Sequence, residues 1–486
     1  MWMRRIVGLI LAVALLSLAG ASGWAAPWPR QVTTYYDADI QRTVEVIWAG
    51  ILPGDVQAAL AAAGLPGTVM RVLPQINLAT VKLPDGLTIE QALPQFKASP
   101  LFAASSVIGT FKLHRQPNDP LYGEQWHLPQ IKAPGGWDTV TDAPQTVIAI
   151  IDTGVQSDHP DLQANIWTNA DEVPGNEQDD DDNGYVDDVH GYDFAVGTGN
   201  AGPKDDDGNG TIEEWLAHGT HCAGLAAGVG NNAEGICGVS WRAQIMSGRV
   251  FAEVGGEGWD DLSEAILYAA DNGAQVISMS LGGFYADPGT ERAVRYAQGK
   301  GVLLVASAGN ENVDIDAIPT YPCSFPGVVG VAALSTGDVK SDFSNYGSKN
   351  VDISAPGGNG YPMVYLTSTL LYMPNFGRTE KYGGPGWAGT SMSCPLVSGT
   401  AGLLRGYNPG LTWEETAEVL RVSADNIDGV NPGYAGKLGA GRVNVERAVA
   451  ATRPVPRISL DLPKPQAITY NARPEVHGSV VRPFER

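Results

Sequence analysis

Apolar positions change their spacing part of the way along the chain. From residue 27 to residue 115, alternating runs and helical spacings predict the order strand, helix, two strands, helix, strand. A stretch rich in Pro and Asn at 116–120 then breaks every periodicity, which is typical of a linker. Beyond it, short continuous runs of Val and Ile alternate with helical patterns. Because such strands are buried on both faces, this second pattern predicts a parallel sheet covered by helices.

The elements of the second part can be placed by length and spacing. The predicted strands cover 147–151, 244–250, 276–279, 302–306 and 328–332, and the predicted helices cover 219–228, 258–272 and 289–300. Catalytic groups of parallel α/β folds lie at the carboxyl ends of the strands. The chemistry is therefore expected directly after these runs.

The N-terminus has the layout of a secretory signal peptide. Arg4 and Arg5 precede an uncharged run, 6–26, that is dense in Leu, Ala and Val and then loosens into small residues suited to a signal peptidase. The alternative is an uncleaved membrane anchor, since about 20 apolar residues span a bilayer. With cleavage, we expect a secreted, extracellular protein with no stable membrane association.

Composition narrows the class of partner. The chain has 31 Lys and Arg against 53 Asp and Glu, a formal net charge of −22. It lacks the basic field that holds a phosphate backbone, so no nucleic acid partner is expected. The 4 cysteines show no Cys-x-x-Cys spacing, which excludes a structural zinc site of that kind. They permit three full pairings, and the sequence does not choose among them.

Four short motifs carry candidate chemistry. Asp152 follows the first run of the parallel part, and His218 begins a helix of small residues. Asn310 follows a further strand, and Ser391 stands at a loop-to-helix junction. Each alone has an ordinary explanation: an Asp as a turn residue, a His on the surface, a Ser as an N-cap. Their occurrence together, in the order Asp, His, Ser, favours a catalytic constellation over these separate explanations.

Residues 117–451 resemble the subtilisin-like serine proteases. The shared motifs are Asp-Thr-Gly, His-Gly-Thr-His, Ser-Leu-Gly, Gly-Asn and Gly-Thr-Ser-Met, in family order. The resemblance implies an α/β, three-layer fold with a mainly parallel sheet between helices, and a serine endopeptidase acting on proteins or peptides. It also implies that His218 takes the proton of Ser391 while Asp152 orients the imidazole. Asn310 would donate to the oxyanion.

The same resemblance implies two segments that line the substrate backbone. These are Ser280, Leu281 and Gly282 on one side, and Gly256, Glu257 and Gly258 on the other. Their glycines would let a substrate strand come close. Glu257 and Glu311 would stand near pockets for substrate residues upstream of the cut. Tolerance of basic substrate residues is one interpretation of these acids, and ordinary surface charge is the other.

Family resemblance also sets the expected domain order. A signal peptide (1–26) precedes a small α+β propeptide (27–116), the catalytic domain (117–451) and a tail of unknown role (452–486). The propeptide would assist folding and inhibit the enzyme until a self-processing cut removes it. The tail is a short appendage or a second processed segment. We expect the mature enzyme to be a monomer.

Two other functions are compatible with parts of the pattern. An α/β-hydrolase esterase requires Gly-x-Ser-x-Gly and the order Ser, acid, His, whereas this chain has Ser393 at the second Gly and a different order. That function is excluded. A catalytically silent binding protein on the subtilisin fold is the alternative that stays open, since a fold alone does not give a function.

Two acidic loops predict structural calcium. Each places oxygen ligands at positions 1, 3, 5, 7 and 9 of a calcium loop, with Gly at the sharp turn. They offer Asp179, Asp181, Asn183, the Tyr185 carbonyl and Asp187 in the first, and Asp205, Asp207, Asn209, the Thr211 carbonyl and Glu213 in the second. Neither has Glu at position 12, so further ligands must come from elsewhere or from water. The alternative is a solvated acidic loop, although close carboxylates repel one another without a cation.

One more calcium ligand follows from the family resemblance. Asp161 matches a ligand of the subtilisin-like proteases, and its partners would include Asn231 or Asn232.

Overall fold

The computed structural model describes residues 43–49, 53–107, 115–253 and 258–452. The chain divides between Leu113 and His114 into two units, each with its own apolar core. The predicted signal peptide and all but the first residue of the predicted C-terminal tail lie outside the described residues.

The first unit is a four-stranded antiparallel sheet with two helices. Its elements are β1 (Thr43–Trp48), α1 (Val56–Ala62), β2 (Thr68–Leu73), β3 (Leu78–Lys82), α2 (Ile89–Ala98) and β4 (Phe102–Val107). The strands lie in the order β2-β3-β1-β4, and the order along the chain is the predicted one. Asp55 caps α1, and Thr88 forms a capping box with Gln91 at the start of α2.

Seven parallel strands form the central sheet of the second unit. They are β5 (Val147–Asp152), β6 (Gly191–Asp193), β7 (Gln244–Arg249), β8 (Val276–Met279), β9 (Leu303–Ser307), β10 (Val329–Leu334) and β11 (Ile353–Pro356). Their order across the sheet is β11-β10-β9-β8-β5-β7-β6. The predicted parallel sheet is confirmed. A two-stranded ribbon, β12 (Ser368–Thr369) and β13 (Tyr382–Gly383), lies apart from it.

Helices cover both faces of this sheet, which confirms the three-layer prediction. They are α3 (His127–Gln130), α4 (Ala133–Trp137), α5 (His218–Ala227), α6 (Trp259–Asp271), α7 (Pro288–Gly299), α8 (Thr390–Tyr407), α9 (Trp413–Ser423) and α10 (Val445–Ala451). Ile148 and Ile150 of β5 share a core with α5 and α8, while Ala149 and Ile151 share the other core with α6 and α7. None of the helices within the described ranges is long and apolar enough to cross a bilayer.

A glycine lets α5 and α8 approach closely. A Cβ on Gly399 of α8 would stand 2.5 Å from the carbonyl oxygen of Ala226 and 3.0 Å from Cβ of Val239. His218 begins α5, and Ser391 lies in the first turn of α8. The close helix contact therefore helps to set the separation of these two candidate residues.

We expect Gly399→Ala to destabilise the fold by about 1–3 kcal/mol, because a backbone oxygen and a β-branched side chain cannot move aside freely. Gly299→Ala is the matched control, since an added Cβ at the end of α7 meets nothing within 4 Å. Denaturant unfolding of both variants in an inactive Ser391→Ala chain, which cannot digest itself, measures the difference. Equal unfolding midpoints for the two variants would contradict the packing argument.

Candidate active site

Asp152 and His218 meet at the carboxyl edge of the sheet. Asp152 ends β5 and is buried, while His218 starts α5 with a quarter of its side chain exposed. Nδ1 of His218 lies 2.7 Å from Oδ1 and 2.9 Å from Oδ2 of Asp152. Burial alone lowers the pKa of His218, but the Asp152 carboxylate outweighs it and holds the pKa well above that of a free imidazole.

The residues that follow Asp152 and His218 make this contact possible. The hydroxyl of Thr153 donates to the Leu216 carbonyl at 2.9 Å and accepts from the Gly219 N–H at 2.9 Å. A Cβ on Gly219 would stand 2.4 Å from the Gly154 carbonyl oxygen. A side chain at Gly219 would therefore push the helix away from β5, which explains why His218 is followed by glycine.

Ser391 lies in the first turn of α8, next to the same pair. Its hydroxyl donates to the Ser280 carbonyl at 3.1 Å, and in the described part of the chain it makes no hydrogen bond to His218. Its own carbonyl accepts from the Ser280 hydroxyl at 2.8 Å and from the Cys222 thiol at 3.4 Å. Catalytic hydrogen bonds are often loose before substrate binds, and rotation of one side-chain torsion redirects a serine hydroxyl.

Asn310 presents its amide beside the start of α8. Its Oδ1 accepts from the N–H of Thr390 at 2.9 Å and from the Thr390 hydroxyl at 3.0 Å. Because the oxygen is used in this way, the Nδ2 group is left to donate outward. Gly389 carries no side chain that could fill the space in front of that group.

His221 has a different environment from His218. It is fully buried, stacks on Trp387 with ring centres 4.8 Å apart, and its Nε2 lies 3.1 Å from the Leu366 carbonyl. Burial lowers the pKa of His221 to about 3, so it stays neutral in the physiological range. These contacts are those of a packing residue.

The two substrate segments are described in part. Ser280 is buried, Gly282 is exposed, and the next residue, Gly283, exchanges backbone hydrogen bonds with Tyr321 at 2.9 and 2.7 Å. Gly258 caps α6, and beside it lies a pocket of about 220 Å³. The pocket is lined by Val250, Phe251, Gly258, Trp259, Leu262, Leu281, Gly282 and Gly283. Gly256 and Glu257 lie outside the described residues.

Glu311 does not extend freely into solvent. Its Oε2 accepts from the side-chain amide of Asn345 at 2.6 Å, and its N–H donates to Asn345 Oδ1 at 3.1 Å. The carboxylate is thus directed toward a buried asparagine of the segment that follows β10, and this contact gives it a local structural role.

The first acidic loop forms a cluster with a residue that the sequence did not indicate. Carboxylate oxygens of Glu172, Asp179 and Asp181 lie within 4.8 Å of one another. Asp179 and Asp181 both accept from the N–H of Asn183, at 3.0 and 3.1 Å. Glu172 is 6% exposed, and its buried Oε2 has no hydrogen-bond partner in the described structure. A buried carboxylate oxygen without a partner is costly unless a cation or water meets it.

The second acidic loop forms a similar cluster, again with an unexpected acid. Oxygens of Asp205, Asp207 and Glu253 lie within 4.8 Å of one another. Both aspartates accept from the N–H of Asn209, at 3.1 and 2.9 Å. The N–H of Glu213 donates to Glu253 at 3.3 Å. After Glu213 the chain runs directly into the short helical turn that leads to His218.

Among the other predicted calcium ligands, Asp187 has its carboxylate bound elsewhere, while the predictions for the Tyr185 and Thr211 carbonyls stay open. Asp187 accepts from three backbone N–H groups at 175–177, at 2.7 to 3.2 Å, which places its carboxylate outside the first cluster. The neighbouring Asp188 is fully buried instead. The hydroxyl of Tyr185 donates to Glu264 at 3.1 Å. Thr211 is exposed, and its N–H and hydroxyl both bind within their own loop.

Asp161 forms a third acidic position. It is fully buried and accepts from Asn232 Nδ2 at 2.7 Å and from the Ile236 N–H at 2.8 Å. Burial raises the pKa of Asp161 to about 7, and the nearby Asp119 adds to the rise. Asp119 itself accepts from the N–H groups of Asn231 and Asn232 at 2.8 and 3.2 Å. The structure thus brings one of the two predicted asparagines, Asn232, to Asp161, and adds a second carboxylate, Asp119, which binds the N–H groups of both.

All four cysteines have free thiols and are buried. Cys222 Sγ lies 4.0 Å from His218 Nδ1, close to the candidate pair. Burial raises the pKa of the Cys222 thiol, so it is protonated and unreactive as a nucleophile at neutral pH.

Sequence comparisons agree with this geometry. The profile of the Subtilase family matches residues 144–441. The chain is 37% identical to thermitase of Thermoactinomyces vulgaris over 334 residues, which cover 68% of this chain and 99% of thermitase. It is 32% identical over 381 residues to the halolysin-like extracellular serine protease Nep of Natrialba magadii, covering 77% of this chain and 61% of Nep.

Solved structures show the same fold. A protease from Pseudoalteromonas arctica superposes with a TM-score of 0.54 and 32% identity, over 70% of this chain and 100% of its own. Fervidolysin from Fervidobacterium pennivorans, described as a keratinolytic enzyme related to subtilisin, gives a TM-score of 0.54 and 25% identity. That match covers 85% of this chain and 61% of fervidolysin.

We expect the raised pKa of His218 to depend on Asp152. In the inactive Ser391→Ala chain, NMR titration should give His218 a pKa above about 6.5, the value of an unperturbed histidine. Adding Asp152→Asn should lower that pKa, because a neutral amide no longer favours the imidazolium. Asp158→Asn, an exposed acid, is the matched control and should leave the pKa of His218 unchanged. Identical His218 pKa values with Asp152 and with Asn at that position would contradict the assignment.

Proposed function

Because the chain belongs to the subtilase family and is a subtilisin-like serine endopeptidase, we propose that it cleaves peptide bonds through Asp152, His218 and Ser391. The observation that carries the proposal is the contact of His218 Nδ1 with both oxygens of Asp152, at 2.7 and 2.9 Å. A carboxylate at Nδ1 fixes the tautomer in which Nε2 is free to take a proton.

The chemistry assigned to these groups proceeds in two halves. As the Ser391 oxygen attacks the substrate carbonyl, His218 takes the hydroxyl proton, and Asp152 stabilises the imidazolium. His218 then gives this proton to the leaving amine as the C–N bond breaks, which leaves an acyl-enzyme. Water, deprotonated by His218, attacks the acyl group, and the serine recovers its proton on release of the acid.

Asn310 is assigned to the charge that develops on the substrate oxygen. Its Nδ2 group and the N–H of Ser391 would donate to the tetrahedral oxyanion. The two bonds from Thr390 support this role, since they hold the amide with its oxygen turned away. Fixed donors of this kind need no rearrangement during the reaction.

We assign the substrate backbone to a strip beside Ser391 that runs from the buried Ser280 to the exposed Gly282. Ser280, Leu281 and Gly282 would line one side of an extended peptide, and Gly258 belongs to the segment that would line the other. The pocket between them is lined mostly by apolar side chains, which suits an apolar substrate residue upstream of the cut. A preference for basic substrate residues, which would depend on Glu257, stays a sequence prediction.

The protein is proposed to be a secreted precursor that processes itself. The N-terminal sequence supports export, and several relatives, including Nep, are named extracellular proteases. The separate first unit supports a propeptide at 27–116 that inhibits the catalytic domain until it is cut away. We further propose that the mature enzyme is a monomer.

Calcium is proposed to neutralise the acidic clusters. Glu172, Asp179, Asp181 and Asn183 would hold one ion, supported by the buried unpartnered oxygen of Glu172. The second cluster would hold another through Asp205, Asp207 and Glu253. Asp161 would contribute to a third. Oxygen ligands at these spacings suit Ca²⁺, which accepts about six to eight of them in flexible geometry.

We expect the purified, processed chain to hydrolyse casein and phenylmethylsulfonyl fluoride to stop the reaction, because the inhibitor sulfonylates an activated serine. Ser391→Ala should lose activity by several orders of magnitude. Ser398→Ala is the control, since this serine lies buried further along the same helix. A folded, processed sample without inhibitor-sensitive hydrolysis would favour the catalytically silent binding protein.

Ser391→Ala should also yield an unprocessed precursor that keeps residues 27–116 covalently attached, because the cut is made by the enzyme itself. Intact-mass measurement on parent and variant, both expressed in a protease-deficient host, checks this. Equal trimming of the two chains would refute self-processing while leaving the protease assignment in place.

Calcium removal should lower the melting temperature of the Ser391→Ala chain, since an ion at about 100 times its dissociation constant adds ~2.7 kcal/mol. Glu172→Gln should bind one ion fewer and lose part of the shift between millimolar calcium and EGTA. Glu177→Gln, an exposed acid of the same loop with the same change of charge, should behave as the parent. Equal melting with and without calcium, with metal shown to be absent after EGTA, would contradict a stabilising role.

A further inference from the structure

One buried side chain binds the loop that carries Asn310 and holds it in place. Asn345 is fully buried, whereas Asn310 and its neighbour Glu311 are exposed. In the described structure the two asparagines share no hydrogen bond, yet both polar atoms of the Asn345 side chain bind residues on either side of Asn310. We propose that Asn345 is a positioning residue that sets the oxyanion donor, an inference that rests on the function proposed above for Asn310.

Five hydrogen bonds join Asn345 to the loop that carries Asn310, and we call this set of bonds the clamp. Nδ2 of Asn345 donates to the Ala308 carbonyl at 2.9 Å and to Glu311 Oε2 at 2.6 Å. Its Oδ1 accepts from the N–H groups of Glu311 and Val313, at 3.1 and 2.9 Å. Its backbone N–H donates to the Gly309 carbonyl at 3.0 Å. The loop is therefore fixed both before and after Asn310.

The clamp is anchored to the central sheet. The hydroxyl of Ser344 accepts from the Ala333 N–H of β10 at 2.8 Å and donates to the Asn345 carbonyl at 2.9 Å. Gly309 adopts φ +99°, and a Cβ there would stand 2.5 Å from Asn345 Nδ2. Glycine is thus needed both for the backbone conformation and for the close approach of the clamp.

Thr390 and Asn345 together place the oxyanion donor, Asn310. Thr390 sets the rotation of the Asn310 amide, and Asn345 sets the backbone from which that amide projects. An oxyanion donor is effective when it already lies about 2.7–3.1 Å from the position that the charged oxygen will take. A loop free to shift would weaken this contact in the transition state more than it would weaken binding of the peptide.

Replacing Asn345 by Asp tests the clamp with little change of shape. The variant loses both donated bonds and faces Glu311 and the Ala308 carbonyl with acceptors. We expect kcat to fall about tenfold, with KM changed less than about twofold. The reason is that Asn345 acts through Asn310, whose contact matters in the transition state more than in binding of the peptide. Asn165→Asp is the matched control: this buried asparagine also donates to two carbonyls, Ala227 and Trp241, but lies outside the loop.

A double-mutant cycle with Asn310→Ala distinguishes an effect of Asn345 on the position of Asn310 from a general destabilisation of the protein. Each chain is matured by a trace of tagged parent enzyme, which is then removed, and kcat and KM are measured on a chromogenic peptide amide. Asn310→Ala alone should lose about 100- to 1,000-fold in kcat. In that background Asn345→Asp should cost less than about twofold, since there is no donor left to position.

The possible outcomes separate the two roles. If Asn345→Asp costs the same factor with and without Asn310, or changes KM rather than kcat, the positioning role is wrong while the oxyanion role stands. If Asn310→Ala itself has little effect, the proposed oxyanion role fails, and the inference about Asn345 fails with it. Should Asn345→Asp not fold, Glu311→Ala removes one acceptor of the clamp from an exposed position, and its cycle with Asn310→Ala is read in the same way.

Discussion

A buried carboxylate at the end of a parallel strand governs the arrangement of this active site. Asp152 is 1% exposed, and a buried charge without partners would cost several kcal/mol. It is satisfied by the Thr153 N–H at 2.7 Å and by the imidazole of His218. Pairing the carboxylate therefore requires α5 to begin directly against the strand. Glycine at position 219 allows that approach, and the same pairing makes His218 a stronger base.

The acidic loops are connected to this site through the sheet. Arg249 ends β7, next to β5, and its fully buried guanidinium pairs with Asp193 and Asp206. Asp206 belongs to the second acidic loop, while the residue after Arg249 donates its N–H to the Asp152 carbonyl at 2.9 Å. A cation in that loop would thus stabilise a segment that is tied to the strand holding the catalytic carboxylate. In a chain with a net charge of −22, such neutralisation bears on the fold as well as the site.

Hydrophobic runs predicted the fold, and short motifs indicated the four residues proposed to do the chemistry, because both are local signals in the sequence. The predicted strands of the central sheet were all found, but β6 and β11 were missed, because Gly-Tyr-Asp and Ile-Ser-Ala-Pro contain no continuous run of Val and Ile. Contacts that join distant segments were also missed. Glu172, Glu253 and Asp119 join acidic clusters from outside the recognised loops, and only the folded chain brings them there. Asp187, in contrast, fits the calcium-loop spacing in the sequence, but in the folded chain its carboxylate accepts a hydrogen bond from the backbone of a neighbouring turn.

The paired carboxylate and imidazole are proposed to activate Ser391, one serine among many. The most direct test treats the mature enzyme with phenylmethylsulfonyl fluoride and locates the adduct by peptide mass spectrometry. We predict modification of the peptide that contains Ser391, and none when His218 is replaced by Ala. An inhibited enzyme that carries its adduct on another residue, or equal modification without His218, would contradict this activation of Ser391.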